Sequence, residues 1–158
     1  MIFNINLSFS NPTSLESIEY INEKLIKAKF HNNRHDEIKQ IDKCSILYTS
    51  YFLITNKKVK DNEYYIKLKD MHFSIGNSSD LVYVNLTCTE SKECIDKKFF
   101  SGINGDYRKG SQYHSTNKLK RTDFFFSDVY TDDAKRIVKA LKHIKNLCLP
   151  SSNKKELF

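Results

Sequence analysis

Three observations predict an α+β fold with a strongly bent antiparallel sheet, an N-terminal helix and a C-terminal amphipathic packing helix. The first is Thr131 to Cys148. Ala134, Ile137, Val138, Leu141, Ile144 and Cys148 fall at three- and four-residue spacings, which gathers them on one side of a helix. The second is a series of alternating apolar segments upstream, which read as strands. The third is composition. With only four Gly and two Pro, and with aromatics that are all Phe or Tyr, the chain suits ordered sheet rather than disorder.

Taken in order, Ile2 to Phe9 alternates Phe3, Ile5, Leu7 and Phe9 with Asn4, Asn6 and Ser8, a strand signal that Asn11-Pro12 ends. Thr13 and Glu16 spell a capping box, and Leu15, Ile18, Ile21 or Asn22, and Leu25 continue as a helical stripe to about Lys29. Phe30 to Asp42 is polar and reads as a connector. Cys44 to Ile54 is rich in β-branched and aromatic residues and reads as a long strand. Thr55 to Asn62 reads as a charged turn. Glu63 to Lys69 and Met71 to Ile75 read as strands with a bulge at Asp70. Gly76 to Asp80 reads as a turn. Leu81 to Cys88 alternates most cleanly, with Val82, Val84, Leu86 and Cys88 on one face. Cys94 to Phe100 and Thr122 to Val129 complete the strands. Between them, Ser101 to Arg121 reads as a long basic loop holding three of the four glycines. Pro150 stops the last helix, and Ser151 to Phe158 reads as a flexible tail after one domain over residues 1–150.

Charge bounds the partners. The net charge is +7 and the pI about 9.1. Of 26 basic residues only Arg34, Arg108, Arg121 and Arg136 are arginines. Lysine attracts polyanions diffusely, whereas arginine supplies forked recognition, so base-specific reading is not favoured. The four cysteines, Cys44, Cys88, Cys94 and Cys148, form no C-x-x-C pair. Zinc-ribbon and thioredoxin readings therefore fail, and buried free thiols are expected. Met1-Ile2-Phe3-Asn4 shows no basic n-region, and no stretch is long and apolar enough for a membrane span. A cytoplasmic protein without cofactor or metal is expected.

Several stretches resemble small PH-like domain proteins of Bacteroidota-type genomes: Thr13-Ser14-Leu15-Glu16-Ser17, Ile21-Asn22-Glu23-Lys24-Leu25, Ile66-Lys67-Leu68-Lys69-Asp70, and Val84-Asn85-Leu86-Thr87-Cys88 with Cys94 behind it. Ala134-Lys135-Arg136 and Ala140-Leu141-Lys142-His143-Ile144 through Leu147-Cys148 complete the pattern over residues 13–148. The resemblance implies a PH-like sheet closed by the C-terminal helix. PH-like domains bind phosphoinositides, peptides or proteins; the basic loop-strand signature of phosphoinositide binders is not present, so that function does not carry over, and a PH-like peptide or lipid-headgroup module is kept as an alternative reading. In character, a small basic chain without motifs is similar to phage-encoded inhibitors of RNA-guided defence nucleases, the anti-CRISPR type, which act by occupying a surface.

Short motifs match by chance often, and several occur here. Arg108 and His114 spell the R-x5-H of HEPN ribonucleases, but Gly110 and Ser111 oppose the helix that motif needs. A ribonuclease in which His114 moves protons while Lys118 or Arg121 stabilises a phosphorane remains as the enzymatic alternative. His31 and His35 have helical metal-ligand spacing with no matching second pair, and Gly102 to Gly105 spells a KH-type G-x-x-G in the wrong context.

The principal expectation is a non-catalytic protein that docks on an acidic protein surface or a ribonucleoprotein, with direct RNA binding open. Residues 108–121 place five cations in fourteen positions with no acid among them. The expected surface comprises Tyr107, Arg108, Lys109, Tyr113, His114, Lys118, Lys120 and Arg121, supported by Lys135, Arg136, Lys139 and Lys142 of the C-terminal helix.

Overall fold

A computed structural model describes residues 12–27, 33–127 and 130–149. Helix α1 (Ser14–Lys27) starts at the capping box read from the sequence. The Thr13 N–H donates to Glu16 Oε2 at 2.5 Å, and the Glu16 N–H donates to Thr13 Oγ1 at 3.2 Å. Ile18, Ile21 and Leu25 point into the core, whereas Leu15 at the start of the stripe is exposed. The expected strand over Ile2–Phe9, the stop at Pro150 and the tail over Ser151–Phe158 lie outside the described residues.

Eight antiparallel strands follow: β1 (Arg34–Asp42), β2 (Ser45–Ile54), β3 (Lys57–Lys67), β4 (Met71–Ser78), β5 (Leu81–Cys88), β6 (Ile95–Ile103), β7 (Asp106–Leu119) and β8 (Arg121–Ser127). They divide into two sheets, ordered β1-β2-β3-β6-β7 and β4-β5-β8. The 3-10 turn Leu68–Asp70 hands the chain from the first sheet to the second, and Lys120 does so again between β7 and β8. Helix α2 (Thr131–Cys148) spans the residues its periodicity predicts, and it packs on α1, β4, β5 and β8. Ala134, Ile137, Leu141 and Ile144 are fully buried there against Met71, Phe73, Val84, Leu86, Phe124 and Phe126. At roughly 1.5–3 kcal/mol for each large apolar side chain removed from water, this seam holds the second sheet to the helices.

Four readings are corrected. The polar connector Phe30–Asp42 contains β1. Only Ile38 among its inward positions is a buried aliphatic, so no alternation betrays it. Its outer edge is met by α1 at Ile38: the Ile38 N–H donates to Asn22 Oδ1 at 2.7 Å, and Asn22 Nδ2 donates to the Ile38 carbonyl at 2.8 Å. The charged turn Thr55–Asn62 shrinks to Thr55-Asn56, whose φ values of 47° and 64° make a tight hairpin turn between β2 and β3. The turn at Gly76–Asp80 shrinks to Ser79-Asp80. Gly76 belongs to β4, where the Tyr83 ring lies over it and leaves no room for a Cβ. Two of the four expected free thiols are a disulfide. Cys88 and Cys94 flank the 3-10 turn Thr89–Ser91, which brings their Cα atoms to 5.7 Å, inside bridging range. No helix among the described residues is long and apolar enough to cross a membrane.

Candidate binding surface

A fifth correction reshapes the candidate surface. Residues 101–121, read as a loop, form a β-hairpin. Asn104-Gly105 closes it with φ values of 53° and 76°, a two-residue turn in which both residues are left-handed. Gly102 has no side chain where the backbone of Asp106 and Tyr107 crosses, 2.5–2.6 Å from a would-be Cβ. Beyond that contact Tyr107–Gly110 bulge out, because Ile103 pairs with Asp106 but Gly102 pairs with Ser111. Ser111 to Leu119 then runs back along β6, interrupted by a second irregularity at His114. Strand β7 is the outer strand of the five-stranded sheet, and at fourteen residues it is the longest.

This geometry pairs off several of the expected cations. Arg108 folds back on Asp106, its Nε and Nη2 lying 3.0 Å from the two carboxylate oxygens. Hydrogen bonding from Arg108 holds the Asp106 carboxyl below its ordinary range. Lys118 Nζ lies 3.3 Å from Asp96, its cross-strand partner. Arg121, the first residue of β8, donates from Nε to Asp123 Oδ1 at 3.0 Å and from Nη2 to Asn85, with its guanidinium 5.7 Å from the Tyr83 ring. On α2, Lys135 reaches Asp132 at 3.0 Å. The span has no acid in its sequence, but the fold supplies acids from just outside it and from the neighbouring strand. Among the described residues, Lys109, Lys120, Arg136, Lys139 and Lys142 are exposed and have no ion-pair partner.

The aromatics of the hairpin are held in place. Tyr107 donates its hydroxyl to the Phe100 carbonyl at 2.9 Å and packs edge-on against Phe52 at 5.1 Å. Tyr113 is 58% exposed and braced by a 2.9 Å hydrogen bond between its hydroxyl and Thr116. The His114 ring stands perpendicular to Phe99 at 5.5 Å. Arg108 and His114 thus lie on a strand and not on the helix an R-x5-H motif needs. His114, Lys118 and Arg121 rest on Phe99, on Asp96, and on Asp123 with Asn85, so the residues of the ribonuclease alternative are anchored to separate partners. Beside Lys118 and the disulfide opens a cleft of about 270 Å³. Three lysines and four carboxylates line it, which leaves it without excess positive charge.

No protein-family model, curated protein or solved structure matches the chain.

The sequence reading also passed over a polar cluster on the inner face of the five-stranded sheet. Asp36, Ser50 and Asn62 lie in one cross-strand row, and Asp61 is the extra residue of a bulge in β3. Arg34 lies 3.6 Å from Asp36 and 3.7 Å from Asp61. Asn62 Nδ2 donates to Asp61 Oδ2 at 2.5 Å. Burial raises the pKa of both carboxyls, with Arg34 opposing it in each case. Both acids fell in segments read as connector and turn, so nothing in the pattern marked them as inward-facing. Among the described residues no group of three His, Cys, Asp or Glu side chains is arranged to hold a metal ion. His35 sits in β1 with Lys58 Nζ 2.7 Å from its Nε2, and His31 lies outside the described residues.

Proposed function

We propose that this protein is a non-catalytic binding module whose partner, an acidic protein surface or a ribonucleoprotein, docks along β7. The observation that carries this reading is the exposed outer strand itself. It presents Lys109 and Tyr113 outward, with Lys120 at its end, and no described element covers it. A sheet edge offers backbone hydrogen-bonding groups to a partner, unpaired lysines supply long-range attraction, and an exposed tyrosine supplies contact area. Inhibition of an RNA-guided nuclease by surface occupation is the biological role that suits such a module. The finer PH-like architecture, with a strongly bent sheet, belongs to the same proposal. It is supported by antiparallel sheets closed by a C-terminal helix.

The structure narrows which cations to test. Lys118 and Arg121 already have carboxylate partners, so Lys109 and Lys120 are the better probes. The parent, Lys109→Glu/Lys120→Glu and the control Lys39→Glu, an exposed lysine on the opposite edge strand β1, are titrated with labelled single-stranded RNA and with a poly-glutamate peptide at several salt concentrations. Retention that falls steeply with salt, and is weakened tenfold or more only in the double variant, is the expected result; a tenfold loss is about 1.4 kcal/mol. RNA cleavage would transfer the function to the ribonuclease alternative. Failure to retain either polyanion would remove the electrostatic basis of the proposal.

A further inference from the structure

The four cysteines fall into two adjacent pairs. Cys88 and Cys94 are bonded. The others, Cys44 and Cys148, are free and half-buried, and they sit 104 residues apart in the chain. Cys44 lies in the turn between β1 and β2, and Cys148 is the last residue of α2. Their contacts interlock. The Cys148 thiol donates to the Lys43 carbonyl at 2.9 Å and the Cys44 thiol reaches the Cys148 carbonyl at 3.6 Å, so each side chain lies against the backbone that carries or adjoins the other. The Cys44 backbone is held from both sides. Its N–H donates to Asp42 Oδ1 at 2.8 Å, and its carbonyl accepts from the Leu68 N–H at 2.8 Å.

We propose that Cys44 and Cys148 are a second disulfide site, which staples the end of the C-terminal helix to the β1–β2 turn. Two thiols that each contact the backbone beside the other, on backbones held in this way, come together by side-chain rotation. A small-molecule disulfide such as oxidised glutathione is the oxidant. The Cys44 thiolate attacks one of its sulfurs, which forms a mixed disulfide and expels one glutathione thiolate. The Cys148 sulfur, losing its proton to solvent, then attacks Cys44 Sγ and expels the second. Two protein thiols are oxidised to one disulfide, and oxidised glutathione is reduced to two glutathione molecules, which take up the two protons. Burial and the Cys44 contact push the Cys148 thiol up to about 12.

The staple would close a loop enclosing most of the core, where a cross-link restricts the unfolded chain most.

The test equilibrates the full chain with oxidised glutathione, blocks remaining thiols with iodoacetamide, and maps unreduced peptides by mass spectrometry. The expected result is a peptide pair joining Cys44 to Cys148 beside the one joining Cys88 to Cys94. The oxidised parent should also melt about 5–10 °C above the Cys148→Ser variant in the same buffer. In reducing buffer, with Cys88–Cys94 opened in both, parent and variant should melt within about 2 °C of each other, because a Cys→Ser change costs little at a half-buried site. Carbamidomethyl or glutathione adducts on Cys44 and Cys148, with Cys88–Cys94 still bonded, would overturn the proposal. So would a cross-link from Cys44 or Cys148 to either of the other two cysteines.

Discussion

Replacing Asn22 by alanine should destabilise the protein more than any other change of one exposed-side polar residue in α1. Asn22 stands on the helical stripe between Ile21 and Leu25, where an apolar residue would be ordinary. Its amide instead makes two hydrogen bonds to the outward backbone groups of Ile38 on the outer edge of β1, at 2.7 and 2.8 Å. Ile38 is 2% exposed, so water reaches those backbone groups poorly once the amide is gone. A neutral hydrogen bond is worth about 0.5–1.5 kcal/mol net, and a buried donor or acceptor left unpaired costs about 1–3 kcal/mol. Two such losses come to about 2–4 kcal/mol, offset by about 0.5 kcal/mol because alanine is the better helix former. The expected cost of Asn22→Ala is therefore about 2–3 kcal/mol, equivalent to a fall in Tm of about 5–10 °C for a chain of this size. Urea unfolding monitored by circular dichroism gives the number. Asn22→Asp adds a directional check. It keeps an acceptor for the Ile38 N–H but sets a charged oxygen against the Ile38 carbonyl, so its defect should shrink on acidification. A cost for Asn22→Ala within about 0.5 kcal/mol, the scale of an ordinary surface change, would refute the claim that this amide closes the sheet edge.

Two further perturbations follow from the geometry. Gly102→Ala sets a Cβ 2.5–2.6 Å from the backbone of Asp106 and Tyr107, so it should cost about 1–3 kcal/mol and loosen the β6–β7 hairpin, read as faster amide exchange there. Gly105→Asn, at φ +76° with nothing within 4 Å of its would-be Cβ, should cost less than half as much. The buried carboxyls Asp36 and Asp61 have pKa values raised above 3.8, chiefly by desolvation. Above pH 4 and up to those raised values the folded state holds more protons than the unfolded one. Their contribution to stability is therefore fully present at low pH and is lost as pH rises through the native values. Glu37, Asp42 and Asp106 have lowered values and push the other way, so the readout is a difference. Relative to the parent, Asp36→Asn should gain stability as pH rises from 4 toward neutrality, measured as urea midpoints across that range. A constant difference across the range would show that Asp36 titrates alike in both states.

What was legible in the sequence was what burial writes there. Helix α2 matches its predicted ends because five of its positions are buried at helical spacing. Strand β5 matches because Val82, Val84, Leu86 and Cys88 alternate into the core. Strands β1 and β7 were not legible, and both lie at the edges of one sheet. An edge strand is held by its ladder to one neighbour and need not bury every second residue, so the period-2 signal fades. The Asn104-Gly105 pair was a hairpin signal in plain sight, but the polar residues after it hid the second strand. The cations of the candidate site were legible by type and density. Their neutralisation was not, because the Lys118–Asp96 pair depends on the β6–β7 register and the Arg121–Asn85 contact on the β5–β8 register. The disulfide was missed for a related reason. Five residues separate Cys88 from Cys94, and only the intervening 3-10 turn folds that spacing back on itself.

The two edges of the five-stranded sheet are treated differently, and this contrast supports placing the partner on β7. On β1 the helix α1 lies alongside and Asn22 consumes the outward backbone groups of Ile38, so that edge is closed from within the chain. On β7 no described element takes that role. Exposed edges are commonly protected by lysines and bulges, and β7 has both: Lys109 within the Tyr107–Gly110 bulge and Lys118 further along. Those devices repel a second copy of the same basic edge, which also makes the edge selective for an acidic partner. Protection and docking predict different responses to charge reversal. If the lysines only keep copies apart, Lys109→Glu/Lys120→Glu should self-associate with the parent chain and leave polyanion retention untouched. If they recruit a partner, retention should fall. Sedimentation of the mixed chains, run beside the retention assay, separates the two roles.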